Sequence, residues 1–571
     1  MAFQVSPGVQ VLEVDATSVV PAVSTSIGGF AWSFNWGPVD QVVSIGSEKE
    51  LHEAFGTPDS ETYKYFLTAA SFLKYGNALK VVRVLSGHDN ATADGAGLII
   101  KNDTHYSDNN YNTGAGSVGS WAAKYPGELG NSLKVSMVTE GITNTNWDNW
   151  AYNSNFDAKP LTSTYATDLG RAVGYGDELH VVVVDEDGLF TGTAGTVLET
   201  FAFASQGSDA KKADGTSNYY VDVINNGSKY IRWMDHPTSL SNAGSRIDTT
   251  SAIAGSTTAI ENSLSGGSND NVPTAAEIAL GFDLLSDADT VDVNLLFAYP
   301  DANGANTIAN DLIGIANARK DCMSFVSPPI EDSQGVTNPH VLVEAWANTD
   351  NSGLTSSSYA SCDSGAIYVY DKYNDTYRWI GAAGHIAGLC ANTDNVADAW
   401  FSPAGVNRGQ LLGVTKLAYN PTQAQRDALY KGRVNPIVSL PGQGTILFGD
   451  KTLLSRPSAF NRINVRRLFN TLEKAVSTAA KAQLFEFNDE FTRAQFKNLV
   501  EPFLRDVKGR RGLTDFLVVC DNTNNTSQVI DANSFVADIY IKPSRSINFI
   551  TLNFVATRSG VSFTEIAGTT G

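Results

Sequence analysis

Cysteine is scarce in this chain, and the sequence lacks the patterns of a redox centre or a membrane protein. The four cysteines among 571 residues form no Cys-x-x-Cys pair, which argues against a zinc ribbon or a redox motif. Free thiols in a reducing compartment are the simplest interpretation. Residues 1–5 have neither a basic nor a strongly apolar segment typical of a secretory signal. No apolar run approaches the ~18 residues of a membrane-spanning helix, so we expect no membrane insertion.

The motifs of common catalytic sites are also missing. The sequence has no G-x-x-x-x-G-K-[S/T] loop for nucleotide phosphates, no H-E-x-x-H zinc motif and no G-x-S-x-G elbow. The seven histidines are scattered, with no two of them three or four residues apart. The acidic run 287–292 lacks the glycine and the distal glutamate of a calcium-binding loop. We therefore predict a protein that is not an enzyme, with no catalytic residue, no cofactor and no metal site.

The charge is acidic overall but unevenly distributed. The formal net charge is −20, whereas residues 426–571 contain 19 Lys and Arg against 13 Asp and Glu. An acidic chain argues against nucleic acid as the main partner. The asymmetry is typical of two surfaces with different partners, but acidic residues that only maintain solubility explain it equally well.

Length and composition indicate a large globular protein. A chain of 571 residues exceeds a single hydrophobic core, so about two to four domains are expected. Apolar residues make up 42% and charged residues 18%, which is typical of folded chains. Strand signals prevail from Trp121 to about Pro300. Asp, Asn, Gly, Ser and Tyr dominate residues 89–120, as in a long surface loop or the remnant of an inserted domain.

Hydrophobic periodicity predicts a mixture of helices and strands. Helical spacing marks residues 65–73, and the apolar run 79–84 follows as a strand. The valine run 181–184 before an acidic turn predicts a hairpin whose return strand starts at Leu189. The other predicted elements are helices near 275–285, 468–479 and 496–507, and strands near 291–297, 516–520 and 536–541.

Both ends of the chain are predicted to be extended arms. Apolar and polar residues alternate near the start, where Pro7 and Gly8 argue against a helix, and again near the end. Such strands leave backbone N–H and C=O groups unpaired, so they favour pairing with another chain. The residues predicted to make this strand exchange are Phe3, Val5, Val9, Val11, Ile550, Leu552 and Phe554.

Short motifs are spread along nearly the whole chain. They are SPGV (6–9), FNWGP (34–38), FGTP (55–58), YPGELG (125–130), YDKYND (370–375), SPAG (402–405), RINVRRLF (462–469), VCDNTNNT (519–526) and SINFITLNFVAT (546–557). In these motifs and in their order, the chain resembles the tail sheath proteins of T4-like contractile bacteriophages. Pro-Gly pairs alone are weak signals, whereas the long C-terminal motifs are specific.

The resemblance implies an α/β and α+β multidomain fold. In this fold, N- and C-terminal segments build a conserved inner α/β domain, and a β-rich insertion extends outward. The expected domains are an N-terminal arm at 1–22, a middle α/β domain at 23–90 and 320–425, an outer β-rich insertion at 91–319, and an inner sheath domain at 426–571 that ends in a C-terminal arm at 545–571. Residues 91–120 are expected to form a reduced outermost protrusion.

The resemblance also implies a structural role. The subunit would polymerise as stacked hexameric rings around a tail tube and contract to drive the tube through the host envelope. Its expected partners are further copies of itself, the tail tube protein, the baseplate and the tail terminator, with no nucleic acid. The expected location is the tail sheath of the virion, after assembly in the host cytoplasm.

Three arginines at a predicted helix start are expected to contact another chain. Arg462, Arg466 and Arg467 precede the apolar helical face that begins at Leu468. Cations are unfavourable near a helix N-terminus, so a carboxylate must compensate them. We predict that this carboxylate lies on the tube or on a neighbouring subunit. The alternative is a pair within the chain, for instance with Glu473 or Asp450.

Two other functions remain open from the sequence. The first is the sheath of a phage-like contractile injection particle, which belongs to the same class. The second is an acidic, β-rich tail adhesin, for which clustered aromatic residues and paired carboxylates would be the signal. Trp147, Trp150 and Tyr152 supply aromatic side chains with Asp148 between them, but no carboxylate pair stands out.

Overall fold

Buried strands that alternate with helices form most of the structure, as apolar runs between helical segments require. The computed structural model describes residues 23–114, 117–172, 174–250, 252–300, 306–348 and 353–548. The chain divides into two compact units, and the boundary lies between Glu486 and Phe487. Parallel α/β layers and separate antiparallel sheets together confirm the predicted α/β and α+β class.

Twenty strands of two to ten residues occur in the described ranges. They are β1 (Gly28–Trp32), β2 (Val42–Ile45), β3 (Leu79–Arg83), β4 (Trp121–Ala123), β5 (Leu133–Thr139), β6 (Glu178–Asp185), β7 (Thr196–Ser205), β8 (Ile231–Trp233), β9 (Ile260–Ser263), β10 (Leu295–Phe297), β11 (Met323–Val326), β12 (Ala360–Asp363), β13 (Ile367–Asp371), β14 (Thr376–Ile380), β15 (Val414–Leu417), β16 (Val434–Asn435), β17 (Ile437–Leu440), β18 (Gly444–Leu447), β19 (Leu513–Val519) and β20 (Asp538–Pro543). The predicted strands near 79–84, 291–297, 516–520 and 536–541 are confirmed as β3, β10, β19 and β20.

The same ranges contain fifteen α-helices. They are α1 (Glu48–Phe55), α2 (Tyr63–Leu73), α3 (Asp103–Asp108), α4 (Asn144–Asp148), α5 (Thr164–Asp168), α6 (Tyr220–Gly227), α7 (Ala275–Asp283), α8 (Thr307–Arg319), α9 (Ile330–Ser333), α10 (Pro339–Asn348), α11 (Ala383–Val396), α12 (Gln423–Lys431), α13 (Ile463–Lys481), α14 (Glu490–Gly509) and α15 (Ser527–Asp531). The predicted helices 65–73, 275–285, 468–479 and 496–507 are confirmed as α2, α7, α13 and α14. Side-chain capping marks the start of two of them: Thr274 and Glu277 form a capping box at α7, and Asp489 accepts the N–H of Thr492 at the start of α14.

The core of the first unit is a sheet whose seven described strands run in the order β16-β12-β11-β10-β1-β3-β2. All neighbours pair in parallel except β2, which is antiparallel to β3. Every residue of β1 is buried, as expected for a parallel sheet covered on both faces. Helices α2 and α11 pack on it, as do α7 and α8. Phe297 joins the layers by stacking on Phe30 and Phe72, with ring centroids 5.3 and 5.4 Å away.

A β-rich insertion leaves this sheet after β3 and returns to it at α7. It contains a four-stranded antiparallel sheet, β7-β6-β5-β9, and the pair β4–β8. The predicted hairpin exists, but its return strand begins at Thr196 and not at Leu189. The reason is Asp185, whose carboxylate accepts the N–H groups of Phe190 and Thr191 at 3.0 and 2.8 Å and so holds a wide loop.

The described residues of the segment 91–120 fold more tightly than a long surface loop. They include α3, and Ile100, Tyr106 and Val118 form a small apolar cluster with Ala122 and Met234. The cluster shows that this segment is packed onto the strand pair β4–β8. Its role as an outermost protrusion stays a prediction.

The sequence-based boundaries at 319 and 426 differ from the observed layers. Strand β10 and helix α8 lie in the seven-stranded sheet and its cover, although they precede 320. Strand β16 forms the far edge of the same sheet by pairing with β12, and residues 426–486 belong to the first unit. Strands of two or three residues are too short for a periodicity to assign them to a sheet.

The insertion is joined to the core sheet through one buried cation. Arg83 ends β3 and is fully buried. Its guanidinium donates at 2.8 Å to each of three carbonyls, those of Phe34, Gly37 and Pro126. The first two follow β1 and the third lies in the insertion. Burial lowers the pKa of Arg83 to about 9, so the side chain remains charged at neutral pH.

A buried histidine lies beside this joint. His88 is 1% exposed. The N–H of Asp270 donates to its Nε2 at 3.1 Å, and its Nδ1 lies 3.1 Å from the Ser86 carbonyl. Burial, followed by the charge of Arg83, lowers the pKa of His88 to about 4. The structure therefore holds this imidazole neutral.

We predict that Arg83→Met strongly destabilises the protein. Three buried carbonyls would lose their donor, and each unsatisfied group costs about 1–3 kcal/mol, so the free energy of unfolding should fall by roughly 3 kcal/mol or more. Denaturant titration measures the change. Lys101→Met is the matched control, because Lys101 pairs with Asp40 nearby but at the surface and should change stability by about 1 kcal/mol at most. Equal effects of the two variants would contradict the role of Arg83.

We predict a pH dependence that His88→Gln removes. A depressed folded-state pKa stabilises the fold above the unfolded value of 6.5, and this stability is lost as the pH falls towards about 4. The wild type should therefore lose about 1–2 kcal/mol more than the variant between pH 6.5 and 4, allowing for screening by solvent. Urea titrations of both proteins across this range measure the difference. Parallel stability curves would show that His88 is not the responsible group.

Candidate assembly site

The residues predicted for strand exchange lie outside the described part of the chain. Phe3, Val5, Val9 and Val11 fall within 1–22, and Ile550, Leu552 and Phe554 fall within 549–571. Strand exchange by these residues stays a prediction. The structure does describe the points from which both segments continue, at Val23 and Asn548.

Helix α13 carries the three predicted arginines and begins without a side-chain cap. The Asp450 carbonyl accepts the N–H of Ile463 at 2.8 Å instead. The predicted apolar face is buried at Leu468, Leu472, Ala475 and Ala479, which confirms the amphipathic pattern. The arginines therefore occupy the first turns of a helix that is anchored in the core of the first unit.

Arg467 forms a buried ion pair with Asp394 of α11. Two guanidinium–carboxylate distances are 2.6 and 2.8 Å, and the two side chains are 4% and 8% exposed. Arg467 also donates to the Cys390 carbonyl at 3.1 Å. Burial alone would lower the pKa of Arg467, but the Asp394 carboxylate outweighs it and raises the pKa above its usual value. This pair joins α13 to α11.

Arg466 lies among aromatic rings. Its Cζ is 4.3 Å from the ring centroids of both Tyr359 and Phe460 and 5.8 Å from that of Phe469. Glu473 is its carboxylate partner at 3.7 Å. Burial lowers the pKa of Arg466, and contact with aromatic faces compensates part of the lost hydration.

Arg462 is the most exposed of the three, at 22% of its side chain. It pairs with Asp450 at 3.2 Å and donates to the hydroxyl of Tyr430. Glu473 and Asp450, the two carboxylates that the sequence suggests for an internal pair, thus pair with Arg466 and Arg462. The partner of Arg467 is Asp394, which the sequence does not suggest. Contact of the arginines with the tube or a neighbour stays a prediction, and burial argues against it for Arg466 and Arg467.

The Arg467–Asp394 pair also holds the segment that leads to the N-terminal arm. The hydroxyl of Thr25 donates to Asp394 at 2.7 Å, and Arg467 donates to the Thr25 carbonyl at 3.3 Å. Sequence reasoning missed Asp394 and Thr25, because these partners of Arg467 lie 73 and 442 residues away along the chain and leave no local signal. The buried ion pair therefore fastens the root of the arm to the core.

The second unit presents a narrow sheet. In the described residues, β19 and β20 form a two-stranded antiparallel sheet, and α14 packs on β19. Leu517 and Tyr540 are opposite each other in the register and are 56% and 60% exposed. Two strands with an open apolar pair are marginally stable alone, so added strands would stabilise this sheet.

The described residues contain no cluster of three or more His, Cys, Asp or Glu positioned for a metal ion. Within the same ranges, no helix is long and apolar enough to cross a membrane.

Family comparisons match three parts of the chain. Residues 25–84 match the tail sheath protein Gp18 domain III N-terminal region, residues 273–453 the phage tail sheath protein central domain, and residues 455–557 the phage tail sheath C-terminal domain. The first match ends just after β3, where the chain leaves the core sheet. The second match begins just before α7, where the chain returns to this sheet. Together the matches define the class as a structural component of a phage tail.

Full-length relatives specify the family. The chain is 34% identical to the tail sheath protein of Enterobacteria phage T4, over 99% of both chains, and 30% identical to that of Salmonella phage ViI, over 99% of this chain and 98% of the relative. The chain belongs to the tail sheath protein family of these bacteriophages.

Two solved structures share the fold. One is a sheath tail protein of Listeria innocua, with a TM-score of 0.55 and 12% identity, matched over 93% of this chain and 94% of that one. The other is the helical sheath of the anti-feeding prophage in its contracted state, with a TM-score of 0.50 and 15% identity, matched over 97% and 100%.

We predict that Arg467→Leu destabilises the first unit by roughly 3–5 kcal/mol, because Asp394 would remain as a buried charge without its partner. The double variant Arg467→Leu/Asp394→Leu should recover much of this loss. Exposed Arg456 supplies the control, since Arg456→Leu should change stability by less than about 0.5 kcal/mol. Thermal and denaturant unfolding measure all three. A double variant no more stable than the single one would contradict a simple ion pair.

Proposed function

We propose that this chain is the subunit of a contractile phage tail sheath, which polymerises as stacked hexameric rings around the tail tube and contracts to drive the tube through the host envelope. Its family membership supports a sheath role. The observation that carries the assembly mechanism is the two-stranded sheet of the second unit, whose Leu517 and Tyr540 are exposed.

The sequence of the two chain ends supports strand exchange between subunits. Apolar and polar side chains alternate at residues 3–11 and 550–554 of the two arms, and β20 ends only five residues before Asn548. Each backbone hydrogen bond that such a strand adds contributes ~1 kcal/mol net, and each large apolar side chain that becomes fully buried contributes ~1.5–3 kcal/mol. A few bonds for each arm would keep neighbouring subunits connected while their bodies move.

The tail tube is the proposed partner inside the ring, and the baseplate and tail terminator are the proposed partners at its ends. The end of α14 offers exposed cations at Arg505, Lys508, Arg510 and Arg511. Lys508 pairs with the surface carboxylate of Asp515 at 3.1 Å, and Arg510 pairs with that of Asp506 at 3.6 Å. Exposed pairs of this kind contribute little to stability, so carboxylates of an acidic tube could replace these partners at little cost. They fit that contact better than the buried Arg466 and Arg467.

The energy for contraction is proposed to be stored during assembly. The sequence has no phosphate-binding loop of a nucleotide-driven motor. An extended polymer that is metastable, and that switches to a second packing of rigid subunits when triggered, needs no fuel at the moment of contraction. We propose assembly in the host cytoplasm and a final location in the virion tail. The full-length 34% identity to a phage sheath, against 15% to the anti-feeding prophage sheath, favours a phage over an injection particle.

We predict that deletion of Met1–Asp15 leaves a folded protein that forms no long polymers, because the arm supplies strand exchange and not the core. A more specific test replaces three of the alternating apolar residues of the arm by aspartate (Phe3→Asp, Val5→Asp, Val11→Asp). The control places three on the polar face (Gln4→Asp, Ser6→Asp, Gln10→Asp). Sedimentation and negative-stain microscopy measure polymer length, and thermal melting checks the fold. Normal sheaths from the deletion variant would refute strand exchange by this arm.

A further inference from the structure

The root of the N-terminal arm, defined here as Ser24–Ile27, is held on α13 at a second point. Lys474 lies seven residues after Arg467, two helical turns along the same face. Its ammonium donates to the Ser24 carbonyl at 3.2 Å. The same ammonium pairs with Asp292, in the segment before β10. Among the described contacts, the one from Lys474 thus holds the chain close to the point where residues 1–22 end.

The two fastenings differ in their surroundings. Arg467 is 4% exposed, whereas the Lys474 side chain is 18% exposed. Between them lies a cavity of about 20 Å³ with a mainly polar lining, which includes Ser24, Thr25, Arg467, Asn470 and Lys474. This volume suits one water molecule. The buried Oδ1 of Asn470 has no hydrogen-bond partner among the described residues and would accept a hydrogen bond from such a water.

This arrangement separates core stability from arm direction. Loss of Arg467 would leave Asp394, which is 8% exposed, as a buried charge without its cationic partner. Loss of the Lys474 contact would free only the Ser24 end, which already adjoins a polar cavity and solvent. A side chain in that position can change where the arm points without changing whether the unit folds.

We propose that Lys474 is a positioning residue for sheath assembly, because it holds the Ser24 carbonyl on α13 and so fixes the direction in which the N-terminal arm leaves the unit. The proposal rests on the strand exchange proposed above. An arm that leaves in one direction loses less conformational freedom when it pairs with a neighbour. Lys474 therefore favours polymerisation by pre-organising the arm.

The test compares four full-length variants. Lys474→Met removes the ammonium and keeps the aliphatic stem. Lys481→Met is the matched control, since Lys481 lies on the same helix and pairs with Asp289 at 3.1 Å but touches no residue of the arm root. Asp292→Asn removes the carboxylate and leaves Lys474 able to reach Ser24. Lys474→Arg retains the donors and serves as the rescue.

Lys474→Met should raise the critical concentration for polymerisation about tenfold. This is the change expected when roughly one or two residues of the arm root regain their conformational freedom in the monomer. Its melting temperature should stay within about 2 °C of the wild type. In the monomer, hydrogen exchange of a peptide covering residues 20–30 should become faster. Lys481→Met and Asp292→Asn should polymerise like the wild type, and Lys474→Arg should restore most of the activity in assembly.

The outcomes separate this proposal from the proposed function. If deletion of Met1–Asp15 abolishes polymers but Lys474→Met polymerises normally, the role of Lys474 is wrong and strand exchange stands. If the deletion variant polymerises normally, strand exchange is wrong and the inference fails with it. Equal defects in Lys474→Met and Lys481→Met would indicate a general effect of charge and overturn the inference. A large fall in melting temperature for Lys474→Met would overturn it in favour of a structural role.

Discussion

The buried guanidinium of Arg83 is the constraint on which the first unit depends. Among the described residues it has no carboxylate partner, so its charge is tolerated in the interior only because carbonyl oxygens satisfy its donors. These carbonyls come from turns that need glycine: Gly37 has φ 99° and Gly127 has φ 136°, and a Cβ on Gly37 would lie 2.6 Å from the Ala54 carbonyl. The motifs FNWGP and YPGELG are therefore parts of one joint, which fixes the insertion on the core sheet.

Arg467 meets the same problem of a buried cation with a different solution. It has a carboxylate partner in Asp394, and the pair uses its remaining hydrogen-bonding capacity on Cys390 and Thr25. Breaking such a pair on one side is strongly unfavourable, although the pair itself contributes little compared with apolar packing. The pair also holds the residues near Thr25, because Thr25 hydrogen-bonds to both of its members. The core sheet, α11, α13 and the arm root are consequently a single connected structure within the first unit.

The sequence was sufficient for elements with strong periodicity and insufficient for long-range partners. Helices α2, α13 and α14 follow from apolar spacing, since burial of one face decides their positions. Strand β16, with two residues, carries no periodicity, and its place depends on β12, some 70 residues earlier. The arginines of α13 were recognised as unusual because cations are unfavourable at a helix start. Which carboxylate compensates each of them depends on the packing of α11, and helix spacing within α13 contains no information about that.

A contractile polymer needs subunits that stay intact while their contacts change, and the distribution of polar interactions in this chain meets both needs. Inside the first unit, charges such as Arg83 and Arg467 are buried, so separating them from their partners is expensive and the body remains rigid. Towards the chain ends, contacts such as Lys474 with Ser24 adjoin a polar cavity, where water can replace a lost partner at little cost. A displacement imposed on the arms therefore changes hydrated contacts before it disturbs buried ones. Because the contacts of the arms are weaker than those of the buried charges, a subunit can move as a rigid body while its arms keep it connected to its neighbours.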